Sequence, residues 1–98
     1  MLHIINKSPQ ERNSLESCLR VAQSGAILLI EDGVYAAAKG GASEAKLKAA
    51  SGKFKFYALQ ADLEARGIAD RVTEGVTPVD YAGFVDLVAE YKTNQSWL

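Results

Sequence analysis

The sequence predicts an α/β domain of three layers, with a mainly parallel sheet of roughly five strands flanked by helices. Three observations predict it. Short apolar runs alternate with amphipathic stretches along the chain, the pattern of successive strand–helix–strand units. One run, Ala26-Ile27-Leu28-Leu29-Ile30, is apolar without a break and sits between Gly25 and Glu31-Asp32-Gly33, as expected of a central parallel strand covered on both faces. The 98 residues contain no internal repeat, low-complexity tract or linker, so residues 1–98 are expected to form a single domain.

Leu2 to Ile5 is the first predicted strand. Ser8, Pro9 and Glu11 then combine a cap, a proline at the first helical position and the glutamate of a capping box. They predict a helix to about Ser24, stopped by Gly25 in the left-handed conformation. Its apolar stripe is Leu15, Cys18, Leu19 and Ala22, spaced i, i+3, i+4, i+7. After the central strand, Asp32 is expected to cap a short helix through Tyr35 to Ala38, ended by Lys39-Gly40-Gly41. Ser43 is placed to cap a second through Leu47 to Ala50, stopped near Gly52.

Lys53 to Leu59 begins in alternation and ends apolar, which predicts a third strand. A helix over Asp62 to Arg66 is expected to stop at Gly67. Arg71-Val72-Thr73 is assigned a short strand and Gly75 to Pro78 a turn. Val79 to Glu90 is the last predicted helix, with Tyr81, Phe84, Val85 and Val88 on one face and Asp80 in its first turn. The tail Asn94-Gln95-Ser96-Trp97-Leu98 is assigned a final edge strand.

Composition narrows the function. The apolar fraction of 48% suits a packed core and argues against disorder. A net charge of −1 gives no electrostatic reason to expect nucleic acid or a membrane surface as partner. A domain this short buries only about two-thirds of the surface its unfolded chain exposes, so a partner surface would add to a thin stability margin. One cysteine excludes an internal disulfide, and one histidine beside it makes no zinc set. The first residues are too short an apolar run for a signal peptide, and Ala26 to Ile30 is too short to span a bilayer. A cytoplasmic protein without cofactor or metal is the expectation.

Cys18 is the one soft nucleophile. Sulfane-sulfur transfer needs a single thiol per carrier, and its rate follows thiolate fraction and access. Lys7 or Arg20 would raise that fraction if close. Against this, Cys18 lies mid-helix on the apolar stripe, where a cysteine is usually an inert small hydrophobe. Glu31-Asp32 follows a strand, where ligand sites of parallel sheets gather, yet a cap and a turn explain the pair without a ligand. Lys46, Lys48, Lys53 and Lys55 among Phe54, Phe56 and Tyr57 resemble a single-strand RNA platform in composition. A solvated lysine face over core aromatics is the plainer account. His3 lacks a ligand partner and reads as a hydrogen-bonded structural residue, and Gly40-Gly41 lacks the rest of a phosphate loop. Tyr35, Tyr91 and Trp97 are the interface candidates, because aromatics are enriched at interface cores and a short domain cannot bury them all.

The linear text carries a resemblance beyond these physical readings. Met1-Leu2-His3, Asn6-Lys7-Ser8-Pro9, Ser14-Leu15-Glu16-Ser17-Cys18-Leu19 and Glu31-Asp32-Gly33-Val34 resemble the opening half of the DsrH/TusB family. Tyr57-Ala58-Leu59, Asp62-Leu63, Ala65-Arg66-Gly67, Asp80-Tyr81, Phe84-Val85-Asp86-Leu87 and Gln95-Ser96-Trp97 continue it in order to the end. The resemblance implies a DsrE-like fold and a place in a cytoplasmic heterohexamer with DsrE/TusD-type and DsrF/TusC-type subunits. It implies that the DsrE/TusD-type subunit holds the principal sulfur-accepting cysteine. Sulfur would arrive from a TusA-type donor and leave toward a DsrC/TusE-type acceptor, ending in tRNA wobble 2-thiouridine or in dissimilatory sulfur oxidation. Cys18 in its Glu-Ser-Cys-Leu setting is similar to the DsrH side of the family and is, by this resemblance, an accessory sulfur acceptor. The alternatives are a purely structural subunit of that complex, or an independent small-ligand or RNA-binding domain.

Overall fold

A computed structural model describes residues 1–97 and shows the expected α/β architecture. Five strands, β1 (Leu2–Ile5), β2 (Gly25–Leu29), β3 (Phe54–Leu59), β4 (Val76–Val79) and β5 (Asn94–Trp97), form one sheet in the order β4-β3-β2-β1-β5. Every pairing is parallel. The helices are α1 (Ser14–Val21), α2 (Glu44–Ala49), α3 (Gln60–Ala65) and α4 (Tyr81–Glu90), with a 3-10 segment over Glu31–Ala37.

The layering follows from the order of strands. From β1 to β4 the chain moves steadily toward one edge, so right-handed crossovers put α1, the 3-10 segment, α2 and α3 on one face. The return from β4 to β5 runs the other way, and the same handedness puts α4 on the opposite face. The two cores agree. Ile5, Ile27, Leu29, Phe54, Phe56 and Ala58 of the strands pack with Leu15, Cys18, Val34, Leu47 and Leu63 on the first face. Leu2, Ala26 and Leu28 pack with Leu87 on the second, with Ile4, Tyr57, Val79 and Phe84 partly buried around them. The unbroken apolar run of β2 is explained by this: successive side chains alternate between two dry faces.

Five details differ from the expectation. The first helix starts at Ser14, after Asn13, and not at Pro9. Ser8 instead closes a turn, its carbonyl accepting from the N–H groups of Glu11 and Arg12 and its Oγ from Gln10 N–H at 3.2 Å. The same cap-forming groups thus serve a turn. The helix ends at Val21, and Gly25 opens β2 with φ +131° at a position where a Cβ would strike the Met1 carbonyl. Asp32 lies inside the 3-10 segment and caps nothing, the flanking residue being Ile30. Arg71-Val72-Thr73 is not a sheet strand; Val72 makes an isolated antiparallel bridge with Ala38. The fourth strand is Val76–Val79, the stretch assigned a turn. Pro78 is tolerated because β4 is an edge strand, where a missing N–H need not break a ladder.

Two helix details at the far end also change. Val79 closes β4, and Asp80 is the N-cap of α4, its Oδ1 accepting from Gly83 N–H at 2.8 Å. The inward face of α4 is Phe84 and Leu87, whereas Tyr81, Val85 and Val88 are exposed. The i, i+3, i+4, i+7 template fits more than one face when a helix is apolar nearly all round. Strand β5 lies beside β1 as an edge, and the last residue of the predicted tail strand, Leu98, lies outside the described residues.

Candidate functional site

Cys18 sits on the buried side of α1, the side that Leu15 shares, and has no exposed surface (0%). Spacing of three residues on a helix puts the two on one face, over β1 and β5. Burial pushes the Cys18 thiol up to about 11, because removing water penalises the thiolate and leaves the neutral thiol untouched. Burial is the sole cause, with no contribution from Lys7 or Arg20. Cysteines activated for attack sit at helix N-termini or beside cations; Cys18 is the fifth residue of its helix and is surrounded by hydrocarbon.

His3 is the polar member of the same face, 3% exposed in the middle of β1. Its Nδ1 accepts a hydrogen bond from the Trp97 indole N–H at 3.1 Å, so Nδ1 holds a lone pair and the proton resides on Nε2. Burial lowers its pKa, the positive N-terminus lowers it further, and a backbone hydrogen bond with Ser24 opposes both. The Phe54 ring meets the imidazole edge-on at 6.3 Å. His3 is thereby a clamp holding the β5 edge to β1.

At the carboxyl ends of the strands, Asp32 Oδ1 accepts from Arg66 Nε at 2.8 Å, and Arg66 Nη1 lies 3.6 Å from Asp62 Oδ1. Asp62 Oδ2 accepts from Glu31 N–H at 2.7 Å. The Asp32 hydrogen bond is the main reason that the Arg66 pKa is raised. Glu31 takes φ +48°, and Gly33 passes so close to β1 that a Cβ would strike the Ile5 carbonyl. Asp32 is thus committed to tying the chain after β2 to α3. The i, i+4 spacing of Asp62 and Arg66 was visible in the sequence, but the partner 34 residues earlier was not.

The three aromatic candidates stand apart. Tyr35, 46% exposed, borders a cleft with Ser8, Asp32, Ser43 and Lys46. Tyr91 is half-buried against the second core, and Trp97 is half-buried against the first. The lysine–aromatic stretch separates by strand alternation: Lys53 and Lys55 are exposed, Phe54 and Phe56 are core, and Tyr57 belongs to the other face. No aromatic platform forms between those lysines. Among the described residues there is no group of three or more His, Cys, Asp or Glu able to hold a metal ion. No helix among them is long and apolar enough to cross a membrane. The surface that the sequence reading missed is the outer face of α4, and its signal was a helix with too few polar positions to have a wet side.

Comparison with known proteins places these features in context. A family model described as DsrH-like protein matches residues 7–94. The chain is 33% identical over 97 residues to Protein TusB of Escherichia coli O1:K1, covering 99% of this chain and 100% of the relative. It is 32% identical over the same length to Protein TusB of Shigella boydii serotype 18, with the same coverage. Among solved structures, a protein of unknown function from Methanobacterium thermoautotrophicum superposes with a TM-score of 0.74 at 19% identity, covering 97% of this chain and 95% of the other. That likeness establishes the fold.

Proposed function

The chain belongs to the DsrH family, and from that premise we propose that it is a cytoplasmic subunit of a sulfur-relay complex whose own part is assembly. The observation that carries the second half is the state of the thiol. In persulfide transfer the acceptor thiolate attacks the outer sulfur of the donor persulfide, forming a new S–S bond and releasing the donor as a thiolate. A thiol near 11 is ionised in roughly one molecule in ten thousand at pH 7. Cys18 also has no surface for a carrier protein to reach. Both requirements, charge and access, fail at once, so the sulfur-accepting cysteine belongs on a DsrE/TusD-type partner.

The remaining partners are a DsrF/TusC-type subunit, a TusA-type donor and a DsrC/TusE-type acceptor. The TusB relatives support the branch that ends in 2-thiouridine at a tRNA wobble position. Tyr35, Tyr91 and Trp97 are interface residues in this reading, because each keeps part of its ring at the surface of a small domain.

The test is mass spectrometry of the reconstituted complex after incubation with a persulfidated TusA-type donor. The expected result is a sulfur adduct on the DsrE/TusD-type subunit and none on Cys18, with a Cys18→Ala complex transferring sulfur as fast as the wild type. An adduct on Cys18, with slowed transfer in an intact Cys18→Ala complex, would restore the accessory-acceptor role.

A further inference from the structure

The cleft that Tyr35 borders takes no part in the relay reading. It lies just beyond the carboxyl ends of β1 and β2, between the turn that Ser8 closes, the 3-10 segment and the start of α2. Crevices in that position are where parallel sheets place ligands, and its volume of about 580 Å³ suits a small molecule. Two of its hydroxyls are nearly dry and have bonding capacity to spare. Ser43 is 8% exposed and stands at the N-cap of α2, yet it makes no cap bond. Its Oγ has no hydrogen-bond partner among the described residues. Ser8 is buried to the same degree, and its Oγ accepts from Gln10 N–H. That leaves the Ser8 O–H to donate, with no acceptor for it among the described residues. Buried polar groups are as a rule hydrogen-bonded, so both hydroxyls call for a group that enters from the cleft.

The charges around them have both signs. Lys46 is an exposed cation whose ion pair, with Glu16 at 3.6 Å, is long and solvated. Glu11 is an exposed carboxylate with no partner among the described residues. Asp32, the other acid of the lining, already binds Arg66. A simple anion would meet Glu11 and Asp32, and a simple cation would meet Lys46; a ligand carrying both charges finds an opposite for each. Pro9, Ala38 and Ala42 add apolar wall without bulk. We propose that the cleft binds a free amino acid or short peptide as its zwitterion. Ser8, Ser43 and Lys46 donate to the carboxylate, and Glu11 accepts from the ammonium. Cys18 lies outside the lining, and the role is binding alone. The inference uses this chain alone and stands independently of the relay reading.

Amide NMR spectra of the isotope-labelled full chain test it, by titration with triglycine and with each of the common amino acids. Saturable shifts are expected at residues 8–12 and 41–46 with at least one of these ligands. For the ligand that binds tightest, acetylating its amine or converting its carboxylate to the amide should each weaken binding by about tenfold or more. Ser43→Ala and Lys46→Gln should do the same to the free ligand. Glu11→Gln should weaken the free ligand and leave the acetylated one unchanged. The spectra themselves report that each variant is folded, and Ser43→Ala removes a hydroxyl that caps nothing. No saturable shift with any of these ligands, capped forms that bind as tightly as the free one, or acetate that binds as tightly would each overturn the proposal.

Discussion

Cys18 and His3 are drawn into the same core, and burial acts on them in opposite directions. Loss of water penalises whichever form is charged, so the thiol is pushed up and the imidazole down. Both consequences favour a neutral, structural group. For His3 the sign of the linkage is definite. Its folded pKa lies below the ordinary 6.5, so the stability it contributes is complete above that value. That stability is lost as pH falls from 6.5 through the folded pKa, because the unfolded chain takes up the proton first. Protonation would also remove the Nδ1 lone pair that receives the Trp97 N–H. The urea midpoint of the wild type is therefore expected to fall between pH 7.5 and pH 5, and His3→Phe should flatten that slope; an unchanged slope would refute the clamp. The cysteine's mid-helix apolar setting was legible in the sequence, because side-chain spacing fixes which face a residue occupies. The Trp97 partner of His3 was not, since 94 residues separate the two and only sheet pairing brings them together.

At the scale of elements, alternation along strands was readable and helix ends were less so. β1, β2 and β3 fall where the apolar runs place them, because a strand between two cores is largely apolar, and the polar edge strand β5 falls within the tail. β4 was hidden by Pro78 and Gly75, residues that signal turns; edge position reverses that meaning for Pro78, while Gly75 with φ +93° makes the turn before the strand. Ser8, Pro9 and Glu11 show the converse, a complete set of helix-start signals spent on a turn. For α4 the sequence established a helix but not its orientation. Orientation has a measurable signature. Leu87→Ala should destabilise the chain by about 2–4 kcal/mol, as a buried large-to-small change leaves a cavity. Val85→Ala at an exposed site should cost about 0.5 kcal/mol or less. Urea denaturation at low protein concentration distinguishes them; equal costs would mean that the helix faces the sheet with its other side.

On the scale of the whole molecule, the two cores share one sheet, so neither can melt while the other stands. β2 alone sends Ile27 and Leu29 to one and Ala26 and Leu28 to the other. Unfolding followed by Trp97 fluorescence, at the β5 edge, is expected to coincide with unfolding followed by far-UV circular dichroism. Separate midpoints would mean that β5 detaches as its own unit. The sequence by itself determined the α/β class, the parallel central strand, the family and the placement of Cys18 on an apolar stripe, since each is written in local periodicity or in the order of short motifs. The tertiary structure decided which signals were used: that β4 is a strand, that Asp32 binds Arg66 instead of capping a helix, that the Cys18 thiol is sealed, and that α4 turns valines and a tyrosine outward. The physical reason is common to all four. Each depends on what lies across a gap from the residue, and that neighbour arrives from a distant part of the chain only when the sheet closes.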